Sequence, residues 1–215
     1  MLLALEGIAG AGKSTLRDRL LAEAHAEGIP LGHVGQFSWL SHSATRTLVR
    51  LRAGHAGDPE EAIEATRRDL ALHARFNIAP ALSDGPVLAD RLTLSTACLL
   101  ALLQRQPVDK YVEHLAEQTR ARPQLTVLLT TDPGTCHARV AQRATARRFT
   151  EHPEAAVQLA DLYVDAASAW KKTTGLPVLE HPCATPADLD VLANACMEHL
   201  RAAGGRTSPT TEASR

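Results

Sequence analysis

The chain has 215 residues, enough for one domain with a sizeable core. Its 23 Lys and Arg nearly balance 24 Asp and Glu, so no global field draws it to a nucleic-acid polymer or an anionic lipid surface. Aromatic residues make up only 3%, which argues against a sheet face that stacks bases, and no apolar run approaches the ~18 residues needed to span a bilayer.

Met1 to Leu5 read as a short apolar strand, followed by Glu6-Gly7-Ile8-Ala9-Gly10-Ala11-Gly12-Lys13-Ser14-Thr15. Gly7 and Gly12-Lys13-Ser14 match the phosphate-binding pattern of a glycine, four residues, then Gly-Lys-Ser/Thr. An amphipathic helix from Ser14 to Ala26 completes the strand–loop–helix context that the motif requires. Glycines let backbone N–H groups curl around phosphate oxygens, and the helix N-terminus adds partial positive charge. Gly7, Ala9, Gly10, Ala11, Gly12, Lys13, Ser14 and Thr15 are therefore the expected binding loop for ATP. Lys13 would reach the β/γ-phosphates and the Ser14 hydroxyl would hold Mg²⁺. No signal peptide is expected before a loop that starts so early. Cys98, Cys136, Cys183 and Cys196 form no CxxC pair and read as buried, reduced thiols of a cytoplasmic protein.

Further along, Gly28-Ile29-Pro30 stops the first helix and Leu31 to Gly35 is a second strand. Residues 40 to 53 read as a helix. Asp58-Pro59-Glu60-Glu61 starts another, with Asp as N-cap, Pro in the first turn and acids against the dipole, and it runs to about Leu82. Ser83-Asp84-Gly85 turns into the strand Pro86 to Asp90. Helices are predicted over 93–105 and 108–121, a strand over Gln124 to Thr130, and helices over 134–144 and Pro153 to Lys172. The strand Pro177 to Glu180 and a helix from Pro186 to Ala202 complete the domain, 1–203, and 204–215 reads as a disordered tail. Strands alternating with helices imply an α/β fold whose five-stranded parallel sheet is flanked by helices in three layers.

In such a sheet, ligands lie beyond the carboxyl ends of the strands. Asp90 closes an apolar strand there and could hold Mg²⁺, accept a proton, or form a strand-end salt bridge. Arg91 offers a bidentate fork for a phosphate or carboxylate. The cluster Arg139, Arg143, Arg147, Arg148 is either a phosphate-clamping lid over about 143–152 or a solvated basic face. Trp39 lines a pocket or packs. The ten histidines form no HxxxH or HxH pair, which gives metal binding by His little support.

Together these features resemble the thymidylate kinase family of P-loop nucleotide kinases. Its opening pattern is matched by EGIAGAGKS at Glu6 to Ser14, and its strand ending in Asp-Arg by PVLADRLTLST at Pro86 to Thr96. Pro80-Ala81-Leu82, Arg122 to Leu129, the lid position and Tyr163 also fall in order. The resemblance implies that Lys13, Ser14 and Thr15 bind the ATP phosphates and Mg²⁺, with Asp90 near the metal. Arg91 would hold an acceptor monophosphate, and Arg143, Arg147 or Arg148 would stabilise the transferring phosphoryl group. Family members are commonly homodimers.

The departures fall on the acceptor side. Ala9 stands where the family has an acid, and Val34 to Trp39 replace its Arg-Glu-Pro-Gly-Gly loop. Leu70, beside Arg67 and Arg68, stands where relatives carry a thymine-contacting arginine, and Leu92 and Cys98-Leu99-Leu100 replace aromatic and polar residues. Arg91, Phe37, Trp39, Arg67, Leu70 and Ser95 are the expected acceptor site. The expected activity is γ-phosphoryl transfer from ATP to a nucleoside monophosphate with altered acceptor specificity. A kinase of a nucleoside or other small hydroxyl compound, and a nucleotide-binding regulatory module, are the alternatives.

Overall fold

The structure, a computed structural model, describes residues 1–144 and 148–204. Five strands, β1 (Leu2–Glu6), β2 (Gly32–Val34), β3 (Val87–Asp90), β4 (Leu125–Leu129) and β5 (Val178–His181), form one parallel sheet in the order β2-β3-β1-β4-β5. Helices cover both faces, so the expected three-layer α/β/α fold is the one that forms. β1 and β4 are buried along their whole length and β3 nearly so, which is why they read as continuous apolar runs. The edge strands β2 and β5 are partly exposed.

The chain leaves β1 at the centre of the sheet, pairs β3 on one side of it and β4 on the other. That reversal opens a crevice at the carboxyl end of β1. Register sets Leu5 beside Asp90 and Glu6 beside Leu128, so the phosphate-loop residues and Asp90-Arg91 emerge at the same level.

Helix starts follow local chemistry. α1 (Lys13–Ala26) has no capping side chain. α2 (His42–Arg52) is capped by the Ser41 hydroxyl, which accepts from Ala44 N. α3 (Pro59–His73) is capped by Asp58, which accepts from Glu61 N at 2.9 Å. The predicted helix ending near Leu82 continues through a wide turn of π type, Ala74–Ile78, into α4 (Ala79–Asp84), so Ser83 and Asp84 are helical and the turn falls at Gly85. Pro80 cannot donate to the Phe76 carbonyl four residues back, and the ladder widens just before it. α5 (Thr93–Gln104) follows β3. The helix predicted over 108–121 is shorter: α6 (Val108–Ala116) stops where Arg122 Nε donates to Ala116 O at 2.6 Å, and a 3₁₀ turn, Thr119–Ala121, follows. α7 (Pro133–Ala141) begins at the Asp132 cap and is also shorter than expected. α8 (Pro153–Thr174) and α9 (Pro186–Gly204) complete the layers. The predicted tail of 204–215 gives its first residue to the end of α9, and the rest of it, like Arg147, lies outside the described residues. No described helix is long and apolar enough to cross a membrane, and all four cysteines are free and buried.

His73 ties α3 to the end of β2. Its Nε2–H donates to Gly35 O at 2.8 Å and its Nδ1 accepts from Asn77 at 2.8 Å, so the ring is held neutral. Burial lowers its pKa from the ordinary value. The unfolded chain therefore binds more protons below about pH 6.5, and this contribution to stability is complete above that pH and lost as pH falls through the lowered folded value. His73→Gln should flatten the loss of stability between pH 7.5 and 5.5 relative to the unaltered protein in urea unfolding. An unchanged pH dependence would show that this ring is not the titrating group.

Candidate active site

β1 ends on Glu6, a fully buried carboxylate. It accepts from Leu92 N at 2.9 Å, Leu94 N at 3.1 Å, Ser95 N at 3.0 Å and the Ser95 hydroxyl. α5 has no cap from its own preceding side chain, so an acid from the neighbouring strand closes its N-terminus. Burial pushes the Glu6 carboxyl pKa up, while Ser95, Arg91 and the backbone N–H of Leu92 pull it back. Three backbone N–H groups and the Ser95 hydroxyl donate to it, an arrangement that favours the ionised form.

Arg91 leaves β3 in a left-handed conformation, φ +70°. Its Nη1 donates to Gly7 O at 2.9 Å, Ser95 Oγ at 3.0 Å and Tyr163 OH at 2.9 Å. Ser95 and Tyr163 are themselves 2.7 Å apart. Burial of the Tyr163 phenol raises its pKa, so it stays a neutral hydroxyl. The fork is thereby aimed by three elements: the loop after β1, α5 and α8.

The phosphate loop is packed hard on its outer side. A Cβ on Gly7, φ +130°, would lie 2.6 Å from Leu129 O, and one on Gly10, φ +85°, would lie 2.4 Å from Cys136 O. These glycines are demanded by the approach of β4 and α7 as well as by any ligand. Thr131 Oγ1 donates to Ala11 O at 2.9 Å and fixes the loop from the end of β4. Lys13 folds back, donating to Gly7 O at 2.8 Å and Ile8 O at 2.6 Å. Burial, then repulsion from Arg91, lowers its pKa well below the ordinary value. Asp90 accepts from Arg17 Nη1 at 2.8 Å.

The segment after β2 is pinned from inside. Buried Asp69 on α3 accepts from Ser38 N at 2.9 Å, Ser38 Oγ at 2.6 Å and Trp39 N at 3.1 Å. This holds Trp39 at φ +58°, its ring edge-on to Phe37 at 5.2 Å and under the Arg52 guanidinium at 5.6 Å.

Two clefts meet over the loop. One, of about 550 Å³, is lined by Ala9, Gly10, Gly12, Lys13, Ser14 and Thr15 with Arg139 and Arg143 and the start of α9. The other, of about 270 Å³, is lined by Phe37, Trp39, Ser95, Leu99 and Tyr163 with Gln36 and Arg52. Ala9, Asp90, Arg91, Arg148 and Glu151 line both. Arg143 lies 3.6 Å from Glu151, whose carboxylate also accepts from Arg148 N. Burial, then repulsion from Arg148 and Arg91, lowers the Arg52 pKa, so three cations share one cleft.

Of the expected site residues, Gly7 and Ala11 line neither cleft; their carbonyl oxygens are taken up by Lys13, Arg91 and Thr131. Arg67 and Leu70 are corrected outright. They line a separate depression with His114, Leu115, Glu117 and Gln118, where Arg67 donates to Glu117 at 2.7 Å. Asp69 turns inward to the Ser38–Trp39 segment, and its neighbours on α3 consequently face α6. Glu6, Arg17, Arg52, Glu151 and Tyr163 were not singled out for the roles geometry gives them. Arg17 had a signal, four residues after Lys13 on the same helix. Arg52 had none, because only the tertiary fold brings the end of α2 to Arg91.

A phosphate loop at the head of a five-stranded parallel sheet, an Asp-Arg pair beside it and a second cleft define a P-loop nucleotide kinase, a phosphotransferase. The chain belongs to the thymidylate kinase family: the family model "Thymidylate kinase" matches residues 5–174. A probable thymidylate kinase of Archaeoglobus fulgidus is 32% identical over 154 residues, which cover 69% of this chain and 74% of that protein.

The Glu6 cap makes a prediction. Glu6→Gln replaces an acceptor oxygen with an amide N–H facing N–H donors, leaving buried groups unpaired. Stability should fall by about 2 kcal/mol in urea unfolding. Because Arg91 is aimed through Ser95, kcat/KM for the acceptor should fall by up to on the order of 10²-fold, more than that for the triphosphate. Equal losses for both substrates would contradict the assigned role.

Proposed function

We propose that this protein transfers the γ-phosphoryl group of ATP to a nucleoside monophosphate whose base is not read as thymine is in the family's usual manner. The observation that carries this reading is the meeting of the two clefts at Ala9, Asp90, Arg91 and Arg148. A triphosphate in the larger cleft and a monophosphate in the smaller would bring their reacting groups together there, and phosphoryl transfer needs chiefly positioning and charge.

On this reading the uncapped N-terminus of α1 receives the phosphates, and Lys13 exchanges the Gly7 and Ile8 carbonyls for anionic oxygens. The Ser14 hydroxyl and Asp90 carboxylate are hard oxygen donors on the lip of that cleft, a set that suits Mg²⁺. Mg²⁺ held there would neutralise charge on the phosphate oxygens. Arg143 and Arg148, with Arg147 proposed alongside them, hold the transferring group and exclude water, in a lid spanning about 143–152. Arg91, Arg52 and Arg148 crowd positive charge that an acceptor phosphate would relieve. Phe37, Trp39, Leu99 and Ser95 form the wall for the acceptor base and sugar. Ala9 leaves the junction without an acid from the loop, and this is the support for altered specificity. The four buried thiols suit a reducing cytoplasm.

The test is ATP consumption with a panel of nucleosides and nucleoside monophosphates, dTMP among them. Transfer to a monophosphate other than dTMP, lost by on the order of 10³-fold in Lys13→Ala, is the expected result. Preference for a nucleoside would point to a hydroxyl acceptor, binding without turnover would point to a regulatory module, and undiminished activity of Lys13→Ala would overturn the role of that lysine.

Arg52→Ala separates the arginines. It should raise the acceptor KM on the order of tenfold, the loss of one charge-assisted contact, while the ATP KM stays within about twofold. Steady-state kinetics with each substrate varied in turn reads this directly.

A further inference from the structure

The two clefts meet at Arg148, and the backbone that carries this arginine is a single short turn. Arg148 N donates to Glu151 Oε2 at 2.9 Å, Glu151 N to Arg148 O at 2.9 Å, and His152 N to Phe149 O at 3.2 Å. These bonds close the 3₁₀ turn Phe149–Glu151 on itself and leave its position to its neighbours. One neighbour is the end of α2. There Gly54 N donates to Leu51 O at 2.9 Å and His55 N to Arg50 O at 3.0 Å, and Gly54 stops the helix at φ +91°. The Phe149 ring rests on that glycine: a Cβ on Gly54 would lie 2.7 Å from the ring atoms Cγ and Cδ2. Val49, Arg52, Ala53, Arg148, Phe149 and His152 surround the contact in one open depression.

We infer that Phe149, seated on Gly54, positions Arg148 at the junction of the clefts and holds it beside Arg52. The inference rests on the kinase reading above and concerns how the cations of that site are kept in place. Arg52 lies two residues before Gly54 and Arg148 one before Phe149, so the seat joins the backbones of both arginines. Like charges drive the two apart, and the lowered Arg52 pKa, set by burial and then by Arg148, records that repulsion. An apolar contact opposes the separation without competing for an arginine, as an acid in the same place would do. Gly54 therefore meets two separate demands. A left-handed helix end accepts asparagine as well as glycine. The seat accepts only glycine, because the first atoms a new Cβ would meet belong to Phe149. Transfer that depends on placed charge is sensitive here, since a shift of about 1 Å can cost on the order of 10²-fold in rate.

Gly54→Asn separates these demands, and Phe149→Ala removes the ring. Amide hydrogen exchange of the full chain, followed by NMR, reads the seat without requiring turnover. In either variant the Glu151 and His152 amides should exchange about fivefold faster or more, while amides at the centre of α8 keep their rates. Steady-state kinetics reads Arg148: kcat should fall about tenfold or more in each variant, with the ATP KM within about twofold. The double variant should be no slower than Phe149→Ala, because the ring atoms that the new Cβ would strike are gone. Unchanged exchange, or losses that multiply in the double variant, would overturn the inference. If Gly54→Asn does not fold, Phe149→Ala alone carries both measurements. Absence of transfer by the unaltered protein would sink the kinase reading and this inference with it, whereas normal transfer with kcat unchanged in both variants would sink only the inference.

Discussion

The structure around the clefts depends on one interaction, the Glu6 carboxylate at the N-terminus of α5. Glu6 is the last residue of β1 and the first before the phosphate loop, while α5 begins just after Asp90-Arg91. Three backbone N–H groups and a hydroxyl converge on the acid, so the end of β1 and the start of α5 cannot move apart without stranding buried polar groups. Through Ser95 the same contact orients Arg91, and through Arg91 it reaches the Gly7 carbonyl and Tyr163. Loop, Asp-Arg strand end and α8 are thus one mechanical unit. In a site whose chemistry is mainly positioning, such a unit is where precision is set.

Around this rigid hinge the charges are arranged in opposition. Lys13, Arg91, Arg52, Arg143 and Arg148 line or border the clefts, and the counter-charges near them are engaged by other groups: Glu6 by α5, Asp90 by Arg17, Glu151 by the Arg148 backbone N–H and Arg143. Burial and mutual repulsion lower the pKa of both Lys13 and Arg52. Cations held close in a partly dry space at cost to themselves are a store of affinity for anions, since each phosphate that enters relieves the repulsion.

How much of this was legible depended on range. The phosphate loop is a local device, so Gly7 to Thr15 announced strand, turn and helix together, and Pro86 to Arg91 announced the second strand end. Helix limits were read least well where a distant group decided them. α6 stops where the Arg122 side chain reaches its last carbonyl, and the α3–α4 stretch widens before Pro80. The second cleft was half legible. Phe37, Trp39 and Ser95 line it, but Arg67 and Leu70 do not, because the inward turn of Asp69 rotates their positions toward α6.

The sequence by itself determined the fold class, the parallel sheet and the family, because strand–loop–helix order and the spacing of Gly, Lys, Asp and Arg are properties of contiguous chain. Only the tertiary structure decided which side chains share the second cleft, which acid caps α5 and which side chain ties the β5–α9 segment to the loop after β1. Those outcomes turn on residues such as Glu6, Arg52 and Arg139 meeting partners some tens of positions away or more, at angles set by packing, and no local pattern encodes that meeting.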